Sequence, residues 1–285
     1  VAANRVGRIS ELCQMSAVSL TVEQIRALPA LLGETDVLKV LQLLPGVQSG
    51  NEGSSGIYVR GGGPDQNLIL LDGVPVYNVS HLFFFFSFFN ADAINHVELT
   101  KGGFPARYGG RLSSVIDINM KDGNMKEVKG EGSVGIISAK ATVEGPITKD
   151  KTSFLFSARR TYIDVLAQPI IKATTEGSSA GYYFYDLNLK LNHVINARNR
   201  IFVSAFLGDD RGYTKHGDFY VSGNERIDFK EEYGLKWGNV ISALRWTSML
   251  TPNLFLNTTG TYSRYRFDVF TDYQEVVISP TETLS

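Results

Sequence analysis

The residues that could do chemistry in this chain are few, and their spacing argues against catalysis. Gly61-Gly62-Gly63 offers backbone N–H groups for a phosphate. A phosphate loop opens a helix, usually through Gly-Lys-Ser or Gly-Lys-Thr, whereas this turn leads into Pro64-Asp65 and an extended apolar stretch. Gly177-Ser178-Ser179-Ala180-Gly181 carries the letters of a nucleophile elbow. An elbow joins a strand to a following helix; here the segment closes a polar loop and enters an alternating run. His81, His96, His193 and His216 lack the short spacings of a metal site and read as structural or surface residues. Cys13 is the only cysteine, which leaves no intrachain disulfide and no thiolate cluster. No carboxylate pair is spaced for acid–base work. The expectation is therefore no catalytic residue, no metal, no cofactor and no enzymatic activity.

Composition narrows the class further. The 285 residues carry 28 basic and 29 acidic side chains, so no nucleic-acid partner is expected. No apolar run reaches the length of a membrane helix. A membrane barrel stays open, because its strands alternate lipid-facing and lumen-facing residues, and a mean hydropathy of −0.05 is compatible with that. Val1 does not open a secretory leader; an exported precursor would carry one ahead of it.

The elements that must position these residues come in two kinds. Thr21 and Gln24 make a capping-box pattern before Ile25 and Leu28, and Val37, Leu38, Leu41 and Leu44 recur at helical spacing before Pro45-Gly46. From residue 57 the period is extended: 57–60 and 68–71 read as strands, with Asp72-Gly73 as a corner. Residues 81–89 form a run with Phe83, Phe84, Phe85, Phe86, Phe88 and Phe89, too short to cross a bilayer. It reads as a packed segment, with a ligand-facing aromatic patch as the alternative. Beyond residue 127, Tyr183, Tyr185, Leu187, Leu189 and Leu191 alternate with Phe184, Asp186, Asn188, Lys190 and Asn192, which is a period-2 strand with one apolar face. Similar runs lie at 152–162, 200–207, 240–250 and 254–265. Short joins at 148–151, 195–199 and 251–253 alternate with long polar ones at 165–181 and 211–236. That alternation is the rule for outer-membrane barrels, with short periplasmic turns and longer outer loops. With 126–134 and 137–147 as the first pair, about seven strands are expected; the first outer join, Gly135-Ile136, is short and is the one exception to the alternation. Tyr162, Tyr182, Tyr183, Trp237, Trp246 and Tyr262 stand where interfacial aromatics would be useful.

The order of motifs adds a resemblance. Val59-Arg60-Gly61, Leu71-Asp72-Gly73-Val74-Pro75, Val97-Glu98, Lys101-Gly102, Ala106-Arg107-Tyr108-Gly109 and Val115-Ile116-Asp117-Ile118 follow one another, after a helix-and-turn segment at 36–47. The series resembles the plug domain of TonB-dependent outer-membrane receptors, in a style similar to Bacteroidetes homologues. The resemblance implies a linker at 1–19, an α+β plug at 20–124, and at 125–285 the first antiparallel strands of an incomplete transmembrane β-barrel, expected to have 22 strands when whole. It implies residence in the outer membrane of a Gram-negative bacterium.

It also implies energised import of a scarce nutrient, such as a siderophore, cobalamin, glycan or peptide. The implied partners are TonB, outer-membrane lipid, the substrate and a lid lipoprotein. Val1-Ala2-Ala3-Asn4-Arg5 resembles the linker after a TonB-coupling segment. Arg60 and Lys101 are the candidates for a plug-to-barrel lock, with Asp72, Glu98 and Arg107 as plug turn charges; Lys101→Glu is expected to loosen the plug and raise leakage of large antibiotics. The rival readings are a soluble β-rich adhesin or carbohydrate-binding module, and a signalling receptor on the same scaffold.

Overall fold

Turn chemistry and hydrophobic period decide where each sheet begins. The computed structural model describes residues 16–27, 34–50, 55–81, 85–175 and 178–278. Strand β1 (Ala17–Thr21) runs into helix α1 (Val22–Arg26), whose capping box forms as expected: Thr21 Oγ1 accepts from the Gln24 amide, and Gln24 Oε1 from the Thr21 amide. Helix α2 (Val37–Leu41) is capped by Asp36, which accepts from the Leu38 and Lys39 amides at 2.8 and 3.2 Å. A helix this short is held by packing rather than propensity, and Val37, Leu38, Val40 and Leu41 are all buried.

Strands β2 (Val47–Ser49) and β3 (Ile57–Val59) pair with each other. Strands β4 (Asn67–Leu71) and β5 (Val74–Pro75) form a two-residue hairpin across Asp72 and Gly73, at φ 51° and 83°. Two positive φ values in succession define the hairpin turn whose twist matches the flanking strands, and Asp-Gly suits it. Next come the short ladder of β6 (Ser80–His81) with β7 (Phe86–Ser87), and then β8 (Ile94–Thr100) and β9 (Ser114–Met120). The main sheet has the order β1-β8-β9-β4-β5, parallel only between β4 and β9. Ile25, Leu38, Leu41, Val97, Leu99, Ile116 and Ile118 are sealed in its core. This sheet begins at Ala17, so the expected linker boundary at residue 19 falls inside a paired strand: Ser19 stands opposite Glu98.

The second sheet is a wall of seven antiparallel strands in sequence order: β10 (Lys129–Val134), β11 (Ser138–Thr148), β12 (Thr152–Thr161), β13 (Ser178–Asn196), β14 (Asn199–Ser222), β15 (Glu225–Thr251) and β16 (Leu254–Ile278). Helix α3 (Ile163–Thr174) fills much of the join between β12 and β13. One expectation needs correcting: 211–236 is not a long loop. The β14–β15 ladder runs unbroken to Ser222 opposite Glu225. Both faces of that extension carry polar residues, and backbone pairing in water does not require an apolar face.

Directly opposed residues share a face of the sheet. On β13, Phe184, Asp186, Asn188, Lys190 and Asn192 are buried toward the N-terminal unit, while Leu187 and Leu189 are exposed on the outside. Outward rows follow from the register: His193, Ile201 and Trp246; Leu191, Val203 and Leu244; Leu189, Ala205 and Ser242; Leu187, Leu207 and Val240. They make an apolar band of the kind a barrel presents to lipid. Tyr182 and Trp237, expected at the membrane interface, instead face inward and pack on each other at 6.1 Å between rings.

Candidate functional site

The seam between the N-terminal unit and the wall concentrates the buried charge of this chain. Ser80 is set by Asn78, whose Oδ1 accepts from both the Ser80 amide and hydroxyl. That turn delivers His81 to the wall, where it is fully buried. Its Nε2 lies 2.8 Å from Asp186 Oδ1 and its Nδ1 2.6 Å from Asp210 Oδ2. Its ring stacks on Phe184, with centroids 3.7 Å apart and planes 7° from parallel. Two carboxylates facing the two ring nitrogens are both satisfied only by the imidazolium, which donates from each. Burial opposes that charge, but Asp186 and Asp210 outweigh it and hold His81 above its ordinary pKa of 6.5.

A guanidinium completes the cluster. Arg159 on β12 donates to Asp186 through Nε at 2.7 Å and Nη2 at 2.5 Å, reaches Glu34 at 3.3 Å, and donates to the Ser87 carbonyl at 2.8 Å. Glu34 also accepts from Ser138 Oγ, and Asp210 from Tyr182 Oη. Two cations are thus shared among three carboxylates, with N-terminal and wall residues on each side.

Further contacts extend the seam. Lys190 Nζ lies 3.1 and 3.0 Å from the two carboxylate oxygens of Asp72, and 3.1 Å from the Met120 carbonyl. Arg245 donates to the Asp72 carbonyl at 2.7 Å. Asp92 meets Lys140 at 2.9 Å and Arg26 at 2.6 Å. Neutral bonds join Asn90 to Ser157, Asn239 to the Asn78 carbonyl, and Ser263 to the Pro75 carbonyl. Removing one member of a buried pair leaves an uncompensated charge at a cost of about 3–5 kcal/mol. Such an array fixes one docked position, because every small displacement strands several charges at once.

The structure places the residues expected from sequence as follows. Asp72 joins the seam. Lys101 is buried and donates to the Pro45 carbonyl at 2.8 Å, and Arg60, at φ 48°, reaches Ser16 at 3.5 Å. Both contacts stay within the N-terminal unit, and among the described residues neither side chain pairs with a wall acid. Glu98 faces Asp117 across the β8–β9 ladder, and Arg107 bonds the hydroxyl of Tyr108. Phe86, Phe88 and Phe89 are buried, and Phe85 packs edge-on to Phe86; Phe83 and Phe84 lie outside the described residues. Sequence reasoning missed His81, Glu34 and Asp92 on the unit, and Arg159, Lys190, Asp186 and Asp210 on the wall. The signal was present: these wall residues occupy the inward phase of period-2 strands, and His81 is the lone ionisable group in an aromatic run.

Comparison with known proteins agrees with this geometry. The sequence profile of the TonB-dependent receptor plug domain matches residues 14–115. The chain carries a TonB-dependent receptor plug followed by barrel strands. Solved structures share this fold. The siderophore receptor PirA of Pseudomonas aeruginosa is 18% identical at a TM-score of 0.51, covering 92% of this chain and 51% of its own. A ferric enterobactin receptor (PfeA) mutant from the same organism is 16% identical at 0.50, covering 89% and 49%. The copper transporter OprC is 10% identical at 0.51, covering 91% and 47%. The chain spans about half the length of these structures. Plug and wall are those of a Gram-negative outer-membrane protein, and the outward apolar rows have the pattern that such a barrel turns to lipid.

Proposed function

We propose that the full-length protein imports a scarce nutrient across the outer membrane, with the plug as the gate and a TonB complex supplying the energy. The observation that carries this reading is the seam itself, a movable-sized unit held to a barrel wall by buried charge pairs. A plug fixed only by apolar burial would have no discrete docked state. Here release requires several ion pairs to be separated together, a step suited to an applied pull rather than to thermal opening. The lock runs both ways: Arg159, Lys190 and Lys140 of the wall meet plug acids, and His81 and Arg26 of the plug meet wall acids; Arg60 and Lys101 contact groups of the plug.

The cargo follows from the relatives only as a starting point. Proteins of this fold include a siderophore receptor and a copper transporter, so chelated metals are the first substrates to test, with cobalamin, glycans and peptides next. Uptake of labelled ferric chelates is measured in cells bearing the full-length protein, with and without TonB. Uptake that requires TonB and collapses with the proton gradient supports the reading; equal uptake in cells lacking TonB overturns it. A soluble adhesin is disfavoured by Leu187, Leu189, Leu207 and Leu244, which would all stand in water.

A further inference from the structure

The lipid face carries charge where its apolar band ends. Above the row of Leu187, Leu207 and Val240, whose fourth member on β16 is Arg264, the next outward row is Tyr185, Asp209, Gly238 and Arg266. The row beyond it contains Arg211, Lys236 and Asp268. These rows lie toward the wall end where helix α3 fills the β12–β13 join and the β14–β15 ladder runs on to Ser222 opposite Glu225; the more extended end of an outer-membrane barrel faces outward from the cell, so they stand at the level of the outer-leaflet headgroups.

Gly238 is what brings the charges together. A side chain there would strike the Gly208 carbonyl and Asp209, and its absence lets Arg266 reach across the strand to Asp209 at 3.3 Å. Lys236 approaches the same carboxylate at 3.4 Å, and Arg266 also meets Asp268 at 3.0 Å. Arg264 shares a row with aliphatic side chains and has no partner among the described residues. Arg264, Arg266 and Lys236, with Asp209 as the one carboxylate, line a cleft of 210 Å³ together with Tyr185 and Leu207. A guanidinium rooted in an apolar row extends along the wall to bring its head to the interface.

We infer that Arg264, Arg266 and Lys236 form a site for an outer-leaflet lipid with an acidic, phosphate-bearing headgroup, its acyl chains lying on the rows of Leu187, Leu207 and Val240. Charge complementarity selects the head and the apolar rows select a lipid over a free anion. This site is independent of the import reading: it needs only the membrane orientation of the wall.

The test uses the full-length protein in neutral detergent, with phosphatidylglycerol and phosphatidylcholine of matched chains as probes and native mass spectrometry as the readout. Each cation near the surface contributes on the order of one charge's attraction, so Arg264→Gln with Arg266→Gln weakens phosphatidylglycerol binding about 30-fold and leaves phosphatidylcholine unchanged. Asp209→Asn, which keeps the cations, tightens phosphatidylglycerol about five-fold; it decides the matter where the double variant fails to fold. Unchanged affinity in either folded variant overturns the site. So does glycerol phosphate binding as tightly as the lipid, which would mean that the apolar rows contribute nothing.

Discussion

Lys190 on the wall and Asp72 on the plug form a buried ion pair, with Nζ 3.0 Å from Oδ2. The same carboxylate accepts from the Met120 amide at 3.0 Å, so one residue closes a hairpin corner, ties β4 to β9 and receives a wall cation. Lys190→Met leaves Asp72 buried without its counter-charge, at a cost of about 3–5 kcal/mol. Local opening at the plug edge becomes correspondingly more frequent. Native hydrogen exchange at the Met120 amide is expected to speed up by at least about a hundred-fold; unchanged protection would show that the pair does not hold the edge.

The His81 clamp makes docking pH-dependent, and its sign follows from the pKa direction. A histidine raised above its unfolded value contributes stability in full below about pH 6.5 and loses it as pH rises through the folded value. Exchange in β6 and β7 should therefore accelerate on the alkaline side. His81→Gln removes that added rise and leaves only the intrinsic base-catalysed increase of amide exchange; parallel profiles in the two proteins would assign the effect to another group.

The face assignment predicts a depth-dependent penalty. Leu189→Arg puts a charge in the lipid-facing band and costs about 2–4 kcal/mol, whereas Leu187→Arg, nearer the interface, costs less. Folding equilibria of the full-length protein in bilayers measure both. Equal and small penalties would mean that the outward rows do not face lipid.

Gly73→Ala tests the corner. The position has φ 83°, and an added methyl would lie 3.3 Å from Arg245 Nη2. Left-handed backbone costs a residue with a Cβ about 1–2 kcal/mol, and the displaced arginine loses its bond to the Asp72 carbonyl. A fall in plug stability of that size is expected by thermal melting, with the barrel band on unheated gels unaffected.

Much of this fold is written locally. The Thr21 and Gln24 cap, the Asp72-Gly73 corner and the strict alternation along 183–191 each follow from short-range rules, and each forms. The extension of β14 and β15 through 211–236 was hidden because a ladder in water has no apolar face to betray it. The seam was hidden for a different reason. His81, Glu34 and Asp92 find Asp186, Asp210, Arg159 and Lys140 only across sequence separations of 48 to 129 residues, and no spacing encodes that pairing. Lys101 and Arg60 stand in legible motifs but contact the Pro45 carbonyl and Ser16, while the ionisable groups on the inward strand phase line the wall–plug boundary.

The central claim is that buried charge at the seam holds the plug shut. Passive entry of a large antibiotic excluded by the wild type, measured in cells expressing the full-length protein with His81→Ala and Lys190→Met, tests it most directly. This double variant is expected to leak and Lys101→Glu to leak less, with all three proteins reaching the surface as folded barrels. Wild-type exclusion by the double variant, at equal surface amounts, would contradict it.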